Sequence, residues 1–168
     1  MNGQEAHTID FVTTTLHHED FMGLALEQAH YAYSCNEVPV GAILVSGGGK
    51  ILSRAHNAPI TQKDPTAHAE ILALRRGAEA VGNYRLTGCR LYVTLEPCAM
   101  CLGAMLHARI ATLVFGAPDL RTGAAGSVVD LTKVPEFNHY IEVVHGVRKE
   151  ECAGLLRMFF RERRHKAS

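Results

Sequence analysis

Two short stretches of the sequence combine residue types that bind metals and transfer protons. TAHAEIL carries His68 and Glu70, and EPCAMC carries Cys98 and Cys101 directly behind a proline. Zinc binds cysteine thiolates and histidine nitrogens, and a catalytic zinc site uses three protein ligands and a water molecule. His68, Cys98 and Cys101 are therefore predicted to be the metal ligands. Glu70 is close enough along the chain to accept a proton from such a water and deliver it to a leaving group.

A Cys-x-x-Cys pair also has other uses, because it is typical of redox pairs and of half a structural zinc site. A structural site needs a fourth ligand, usually from a second close pair. The remaining cysteines, Cys35, Cys89 and Cys152, are isolated in the sequence. His107 and His139 remain candidates for a fourth ligand, although no pattern favours them. The combined spacing of the two stretches favours an open, catalytic site.

The composition is that of a single folded domain. The 168 residues are 47% hydrophobic and 20% charged, and the formal net charge is zero. This balance argues against a protein that coats nucleic acid without specificity. The first residues lack the pattern of a signal peptide, and no apolar stretch approaches the roughly 20 residues of a membrane span. We expect a cytoplasmic protein without membrane contact, in a reducing compartment where a close cysteine pair serves a metal or catalysis.

The pattern along the chain predicts the elements that hold these residues. Residues 1–18 show no periodicity and are predicted to be a loose leader, followed by one domain over residues 19–166. Thr66 is expected to cap the helix that carries Glu70, and Pro97 to be the first residue of the helix that carries both cysteines. Two further helices are expected over 20–33 and 149–164, and strands over 38–45, 51–57, 90–96, 111–116 and 140–146.

This order of elements predicts an α/β fold with three layers, α/β/α. The glycine-rich turn SGGGK joins the first two strands into a hairpin. Two strand–helix–strand passes favour parallel neighbours, so we expect a five-stranded mixed sheet with helices on both faces. If the two helix starts lie at the same edge of this sheet, His68 meets the cysteine pair.

Longer stretches around these residues resemble a known enzyme family. They are EVPVGAILV, HNAPI, DPTAHAEILALR, NYRLTG, LYVTLEPCAMCLGAM, VFGAPDLRTGAAGS and FFRERR, and they span about residues 37–164. H-x-E followed by P-C-x-x-C is a signature of zinc deaminases that act on nucleobases. The chain is similar to the bacterial tRNA adenosine deaminases of the cytidine deaminase-like superfamily. The resemblance implies that superfamily's fold, one zinc per subunit, a homodimer, and conversion of adenosine to inosine at the wobble position of a tRNA anticodon, with arginine tRNA as the substrate.

The resemblance also implies roles for matched positions. The side-chain amide of Asn57 and the backbone of Ala69 would contact the target nucleoside, and Asp119 would contact a nucleotide of the anticodon stem-loop. The basic tail RMFFRERRHK would meet the RNA through Phe160 and Arg161. One of the two adjacent phenylalanines of this tail is expected in the core, and the resemblance favours Phe160 as the one near RNA.

The zinc motif alone does not choose which amine is removed. A guanine deaminase, or another free-base or nucleoside deaminase of the superfamily, shares much of DPTAHAE and EPCAMCLGA, although guanine deaminases carry a cysteine where this chain has Leu95. Pro118 and His56 depart from the tRNA enzymes, which often have a basic or polar residue and a tryptophan there, so both differences bear on RNA affinity. A third hypothesis is a non-catalytic nucleic-acid-binding module with a four-ligand zinc, in which Glu70 would be dispensable.

Overall fold

The computed structural model describes residues 16–166, so the predicted leader lies outside the described residues apart from residues 16–18. The division into a leader and one domain stays a prediction. The elements are α1 His18–Ser34, β1 Gly41–Val45, β2 Ile51–His56, α2 Pro59–Gln62, α3 Ala69–Val81, β3 Arg90–Leu95, α4 Ala99–His107, β4 Thr112–Ala117, a 3₁₀ turn Leu131–Lys133, β5 Glu142–His145 and α5 Lys149–Lys166.

The strands form one mixed sheet in the order β2-β1-β3-β4-β5. β1 is antiparallel to both of its neighbours, while β3, β4 and β5 run parallel to one another. The glycine-rich turn produces the β1–β2 hairpin, and α4 supplies the crossover between β3 and β4. A long loop with one 3₁₀ turn connects β4 to β5. The predicted five-stranded mixed sheet is confirmed.

Helices cover both faces of the sheet, so the predicted three layers are confirmed. Successive residues of a strand point to opposite faces. Ala42 and Leu44 therefore pack with α3 and α4, whereas Ile43 and Val45 pack with α1 and α5. The strand begins at a glycine because α1 passes very close, and a Cβ at Gly41 would lie 2.5 Å from a backbone nitrogen of α1. No helix between residues 16 and 166 is long and apolar enough to cross a membrane.

The helix that carries Glu70 begins later than predicted. Thr66 is not its N-cap, because the Thr66 hydroxyl and backbone N–H both donate to Oδ1 of Asp64, at 2.7 and 2.8 Å, within a tight turn. His68 takes the N-cap position instead, with φ −71° and ψ 152°. Part of the segment predicted as a loop before it is the short helix α2. His68 therefore belongs to the extended backbone that enters the helix.

The helix of the cysteine pair also begins later than predicted. Pro97 lies outside α4, because its carbonyl oxygen accepts a hydrogen bond from the backbone N–H of Ala124 at 2.9 Å. Cys98 is the N-cap, with φ −75° and ψ 173°, and Ala99 is the first helical residue. Cys98 and Cys101 thus occupy the N-cap and the third position of one helix start, not two positions within the helix.

Candidate metal centre and active site

Two helix starts meet at one edge of the sheet. α3 follows β2 and α4 follows β3, and both strands run antiparallel to β1. Their carboxyl ends therefore lie at the same edge, which we call the active edge. The N-cap residues face each other there, with 3.7 Å between Nδ1 of His68 and Sγ of Cys98. The same nitrogen lies 3.5 Å from Sγ of Cys101.

These separations fit a zinc ion. A tetrahedral site with Zn–N of about 2.0 Å and Zn–S of about 2.3 Å places its nitrogen and sulfur ligands roughly 3.5 Å apart. The ligand atoms of His68, Cys98 and Cys101 all lie within 4.8 Å of one another. The short sulfur–nitrogen distances are therefore better understood as edges of a coordination tetrahedron than as weak hydrogen bonds. The donor set, two cysteine sulfurs and one histidine nitrogen, is one that zinc uses in catalytic sites.

No fourth protein ligand joins this group within residues 16–166. His139, one of the two histidines left open by the sequence, lies with Nε2 2.7 Å from the backbone oxygen of Ile110. His107 is the last residue of α4, at the opposite end from the cysteine pair. Three protein ligands are the number that distinguishes a catalytic zinc site from a structural one.

The ligand groups influence one another's protonation. On the protein groups alone, the hydrogen bond from Cys101 lowers the pKa of Cys98 to about 4, while that same contact raises the pKa of Cys101. Hydrogen bonding to Cys98 raises the pKa of His68. A bound dication reverses the last two effects, because coordination requires a thiolate and a neutral imidazole. The positive ends of the α3 and α4 dipoles also favour thiolates at this position.

Glu70 lies beside these ligands in the first turn of α3. Its side chain is buried, with 4% relative exposure. On the protein groups alone, burial raises the pKa of Glu70 to about 7, while a backbone hydrogen bond and the charge of His68 oppose that rise; a bound dication favours the carboxylate. A carboxyl group that titrates near neutral pH can both accept and release a proton under physiological conditions. Glu70 therefore has the position and the protonation behaviour of a proton-transfer group.

Asn57 directly follows β2 and is hydrogen-bonded to the first residue of α3. Its Oδ1 accepts a hydrogen bond from the backbone N–H of Ala69 at 2.9 Å, and its own backbone N–H donates to Val40 at 3.0 Å. Asn57 and Ala69 are both buried. The family resemblance implies that both residues contact the substrate, which stays a prediction, and the structure pairs them with each other. The Ala69 N–H is already used in this pair, and the Asn57 amide NH₂ is the polar group of the pair that remains to donate.

Asp119 opens the loop that follows β4. Its Oδ1 accepts hydrogen bonds from the backbone N–H groups of Arg121 and Thr122, at 2.9 and 3.2 Å, and its Oδ2 accepts one from the Thr122 hydroxyl at 2.7 Å. The carboxylate thus shapes its own turn at the active edge. A nucleotide contact by Asp119 stays a prediction.

The C-terminal helix ends at the active edge as well. Phe159 is buried, and the guanidinium of Arg163 lies over its ring at 4.6 Å. Arg163 also donates to the backbone oxygen of Asn36 at 2.5 Å, in the turn between α1 and β1. Phe160 is 45% exposed, and Arg161 is exposed beside it. Phe159 is therefore the phenylalanine in the core and Phe160 the one at the surface, which agrees with the family resemblance; contact of Phe160 with RNA stays a prediction.

The two departures from the family pattern also lie at this edge. The His56 ring ends β2 and packs edge-on against Tyr31, with 4.7 Å between ring centroids. Burial lowers the pKa of His56, so its imidazole is mainly neutral at pH 7. Pro118 directly follows β4 and precedes Asp119.

Two buried carboxylates at the site were not predicted from the sequence. Oε1 of Glu37 accepts hydrogen bonds from the backbone N–H and the hydroxyl of Thr61, at 2.7 and 2.8 Å. Glu96 binds the loop that follows β4. Both side chains are at most 2% exposed, and both lie at the active edge. The available signal was an acidic residue next to a buried, apolar strand, since such a carboxylate must find donors in the fold.

Comparison with known proteins shows similarity to zinc-dependent deaminases. A family model described as the cytidine and deoxycytidylate deaminase zinc-binding region matches residues 15–117. A tRNA-specific adenosine deaminase of Haemophilus influenzae is 52% identical over 146 residues, which are 87% of this chain and 84% of that protein. A solved structure from a study of A-to-I editing by tRNA:A34 deaminases at the wobble position of transfer RNA shares 44% identity at a TM-score of 0.78, covering 81% of this chain and 98% of that one.

A guanine deaminase from Nitrosomonas europaea has the same fold. Its solved structure gives a TM-score of 0.71 over 84% of this chain and 83% of that one, but only 24% of the residues are identical.

Proposed function

The chain belongs to the zinc-binding cytidine and deoxycytidylate deaminase family and, within it, to the tRNA-specific adenosine deaminases, and from this membership we propose that it converts adenosine to inosine in a tRNA anticodon. One observation carries the proposal: a His–Cys–Cys group fit for zinc lies beside the buried carboxyl group of Glu70. The finer proposal is that the target is the wobble adenosine of an arginine tRNA.

The alternative of a guanine deaminase has weaker support. Solved guanine deaminases from Nitrosomonas europaea and Bacillus subtilis share 24% and 30% identity with the chain, against 52% for a tRNA-specific adenosine deaminase. The third hypothesis, a structural zinc in a binding module, predicts four protein ligands and no use for Glu70. Three ligands and a buried, titratable Glu70 favour a reaction instead.

The proposed reaction is a hydrolysis. Zinc held by His68, Cys98 and Cys101 supplies the chemistry that lets a water molecule lose a proton near neutral pH. Glu70 accepts that proton and delivers it to the ring nitrogen N1, then takes the second proton from the hydroxyl newly bonded to C6 and delivers it to the departing amine. The water oxygen forms a bond to C6 of adenine while the bond from C6 to the amino nitrogen breaks. Inosine and ammonia are the products.

Other residues of the active edge would orient the substrate. We assign the Asn57 amide NH₂ to a hydrogen bond with the target nucleoside, because Oδ1 of the same side chain is fixed by Ala69. A flipped adenosine could then enter beside Glu70. Phe160 and Arg161 present an exposed ring and an exposed cation on the helix that ends at this edge, which suits stacking on a base and contact with a phosphate of the anticodon stem-loop.

The proposal includes a homodimer that works in the cytoplasm. An apolar groove open to solvent lies between α3 and α4, and its lining includes Leu74, Met100 and Ala104. Exposed Tyr84 and Met100, at 65% and 37%, make this the surface that we assign to a second copy of the chain. Light scattering at assay concentration tests the assignment, and a monomer mass would reject it.

The function is tested by a deamination assay with matched variants. Wild type, Glu70→Ala and a surface control, Glu79→Ala, would each be given an arginine anticodon stem-loop RNA and, in parallel, free adenosine, guanine and cytidine. We expect inosine in the RNA from wild type and Glu79→Ala, none from Glu70→Ala, and no change in the free compounds. Conversion of guanine with the RNA unchanged would identify a guanine deaminase. RNA binding without any turnover would favour the binding module.

A further inference from the structure

One buried carboxylate organises the loop beside the metal ligands. Glu96 follows β3, is 2% exposed, and accepts four hydrogen bonds. Its Oε1 accepts from the backbone N–H groups of Ala125 and Ser127, both at 3.0 Å. Its Oε2 accepts from the backbone N–H of Asp119 at 3.0 Å and from the Ser127 hydroxyl. All four donors lie in one loop, residues 119–127, which we call the clamp loop.

The clamp loop is also fastened to the chain that follows Glu96. The Ala124 N–H donates to the carbonyl oxygen of Pro97 at 2.9 Å, and Gly123 forms an antiparallel bridge with Cys98. A Cβ on Gly123 would lie 2.5 Å from the Glu96 carboxylate. The glycine is therefore required for this close approach, and Glu96 and its two successors form one continuous support for the loop.

No cation within residues 16–166 forms a salt bridge with Glu96. Its two oxygens accept hydrogen bonds from neutral donors only, and three of these donors are backbone N–H groups. A buried donor that loses its acceptor is costly, so these bonds fix the loop in one conformation. The turn capped by Asp119 and the exposed Arg121 then stand at a defined place on the active edge.

We propose that Glu96 is a positioning residue for the RNA substrate, which holds the clamp loop in the conformation that receives the anticodon loop. The inference rests on the proposed function for the identity of the substrate. Glu96 acts through the loop and has no part in proton transfer. Its loss should therefore weaken binding of RNA, which raises KM, and should leave the chemical step and the metal largely intact.

A purely electrostatic role and a positioning role of Glu96 predict opposite effects of Glu96→Gln on RNA binding. RNA is a polyanion, so removal of one nearby negative charge by itself strengthens RNA binding. Glu96→Gln keeps the shape of the side chain, but its NH₂ group faces a donor where a carboxylate oxygen accepted one. At least one backbone N–H, such as that of Asp119, then lacks an acceptor. Positioning therefore predicts weaker RNA binding from the same substitution.

The experiment measures kcat, KM for the anticodon stem-loop, and zinc content of Glu96→Gln, with Glu79→Gln as an exposed control of equal charge change. We expect KM to rise about tenfold, with kcat within about twofold and zinc at the wild-type level. Ser127→Ala, which removes only one of the four donors, should raise KM by a smaller factor. An unchanged or lower KM overturns the proposal, and so does a loss of zinc in parallel with kcat.

Hydrogen–deuterium exchange separates this inference from the proposed function. The amides of the clamp loop should exchange about tenfold faster in Glu96→Gln than in wild type, and those of Glu79→Gln should not change. Unchanged exchange of the clamp loop refutes the positioning role whatever the substrate is. A wild-type protein that leaves RNA unmodified refutes the proposed function and, with it, the assignment of RNA as the ligand of the loop.

Discussion

Glu70→Gln is expected to abolish turnover and also to stabilise the zinc-depleted fold at alkaline pH. Burial raises the pKa of Glu70 to about 7 from its ordinary value of 4.5. Between these values the native state holds a proton that the unfolded chain has lost. The free energy of unfolding therefore falls as pH rises through this window, by about 1.4 kcal/mol per pH unit, and the total loss is about 3 kcal/mol.

Glutamine does not ionise, so the variant avoids this loss. The free energy of unfolding of Glu70→Gln should exceed that of wild type by less than about 1 kcal/mol at pH 5 and by about 3 kcal/mol at pH 8. Bound zinc places a positive charge beside the carboxylate and favours its ionised form, so the advantage should shrink when zinc is restored. The same burial that makes Glu70 useful as a proton carrier thus makes it costly to the fold.

Urea unfolding of the chelated proteins at pH 5 and pH 8 measures the effect. Glu79→Gln, at an exposed position of the same helix, keeps Glu70, so its difference in stability from wild type should be the same at the two pH values. An advantage of Glu70→Gln that is equal at both pH values would mean that the substitution acts through packing. A variant less stable than wild type at pH 8 would contradict the buried-charge explanation.

The remaining predictions concern the metal ligands and the start of α3. His68→Ala, Cys98→Ala and Cys101→Ala should each lower bound zinc towards zero, and full occupancy measured by elemental analysis in any of them removes that residue from the ligand set. Asn57→Ala leaves the N–H of Ala69 without its acceptor and should cost about 1–3 kcal/mol of stability. Asn57→Asp keeps an acceptor for Ala69 at the start of α3, where the helix dipole favours a negative charge, and loses the amide donor, so it should lose less stability than Asn57→Ala while turnover falls. Equal destabilisation in both variants would argue against this division of roles.

The sequence by itself determined the fold class and the chemical character of the site. Alternating and helical apolar patterns are local properties, so they predicted the strands, most of the helices and the mixed three-layer sheet. The zinc donors are recognisable because few functions require His-x-Glu and Pro-Cys-x-x-Cys together. The assignment of Phe159 to the core and Phe160 to the surface came from the family resemblance, and the burial of the two rings agrees with it. The helix starts were less accurate, since Thr66 and Pro97 fit the preferences for capping and first positions but form other hydrogen bonds.

Only the tertiary structure decided how these residues meet. His68 faces both cysteines through Nδ1, because two helix starts from different strands lie at one sheet edge. Glu96 accepts hydrogen bonds from residues 119–127, and Asn57 accepts one from Ala69 across a loop. Such contacts depend on which backbone donors remain unpaired after the sheet and helices have formed. That is a property of the whole fold, and no local pattern in the chain encodes it.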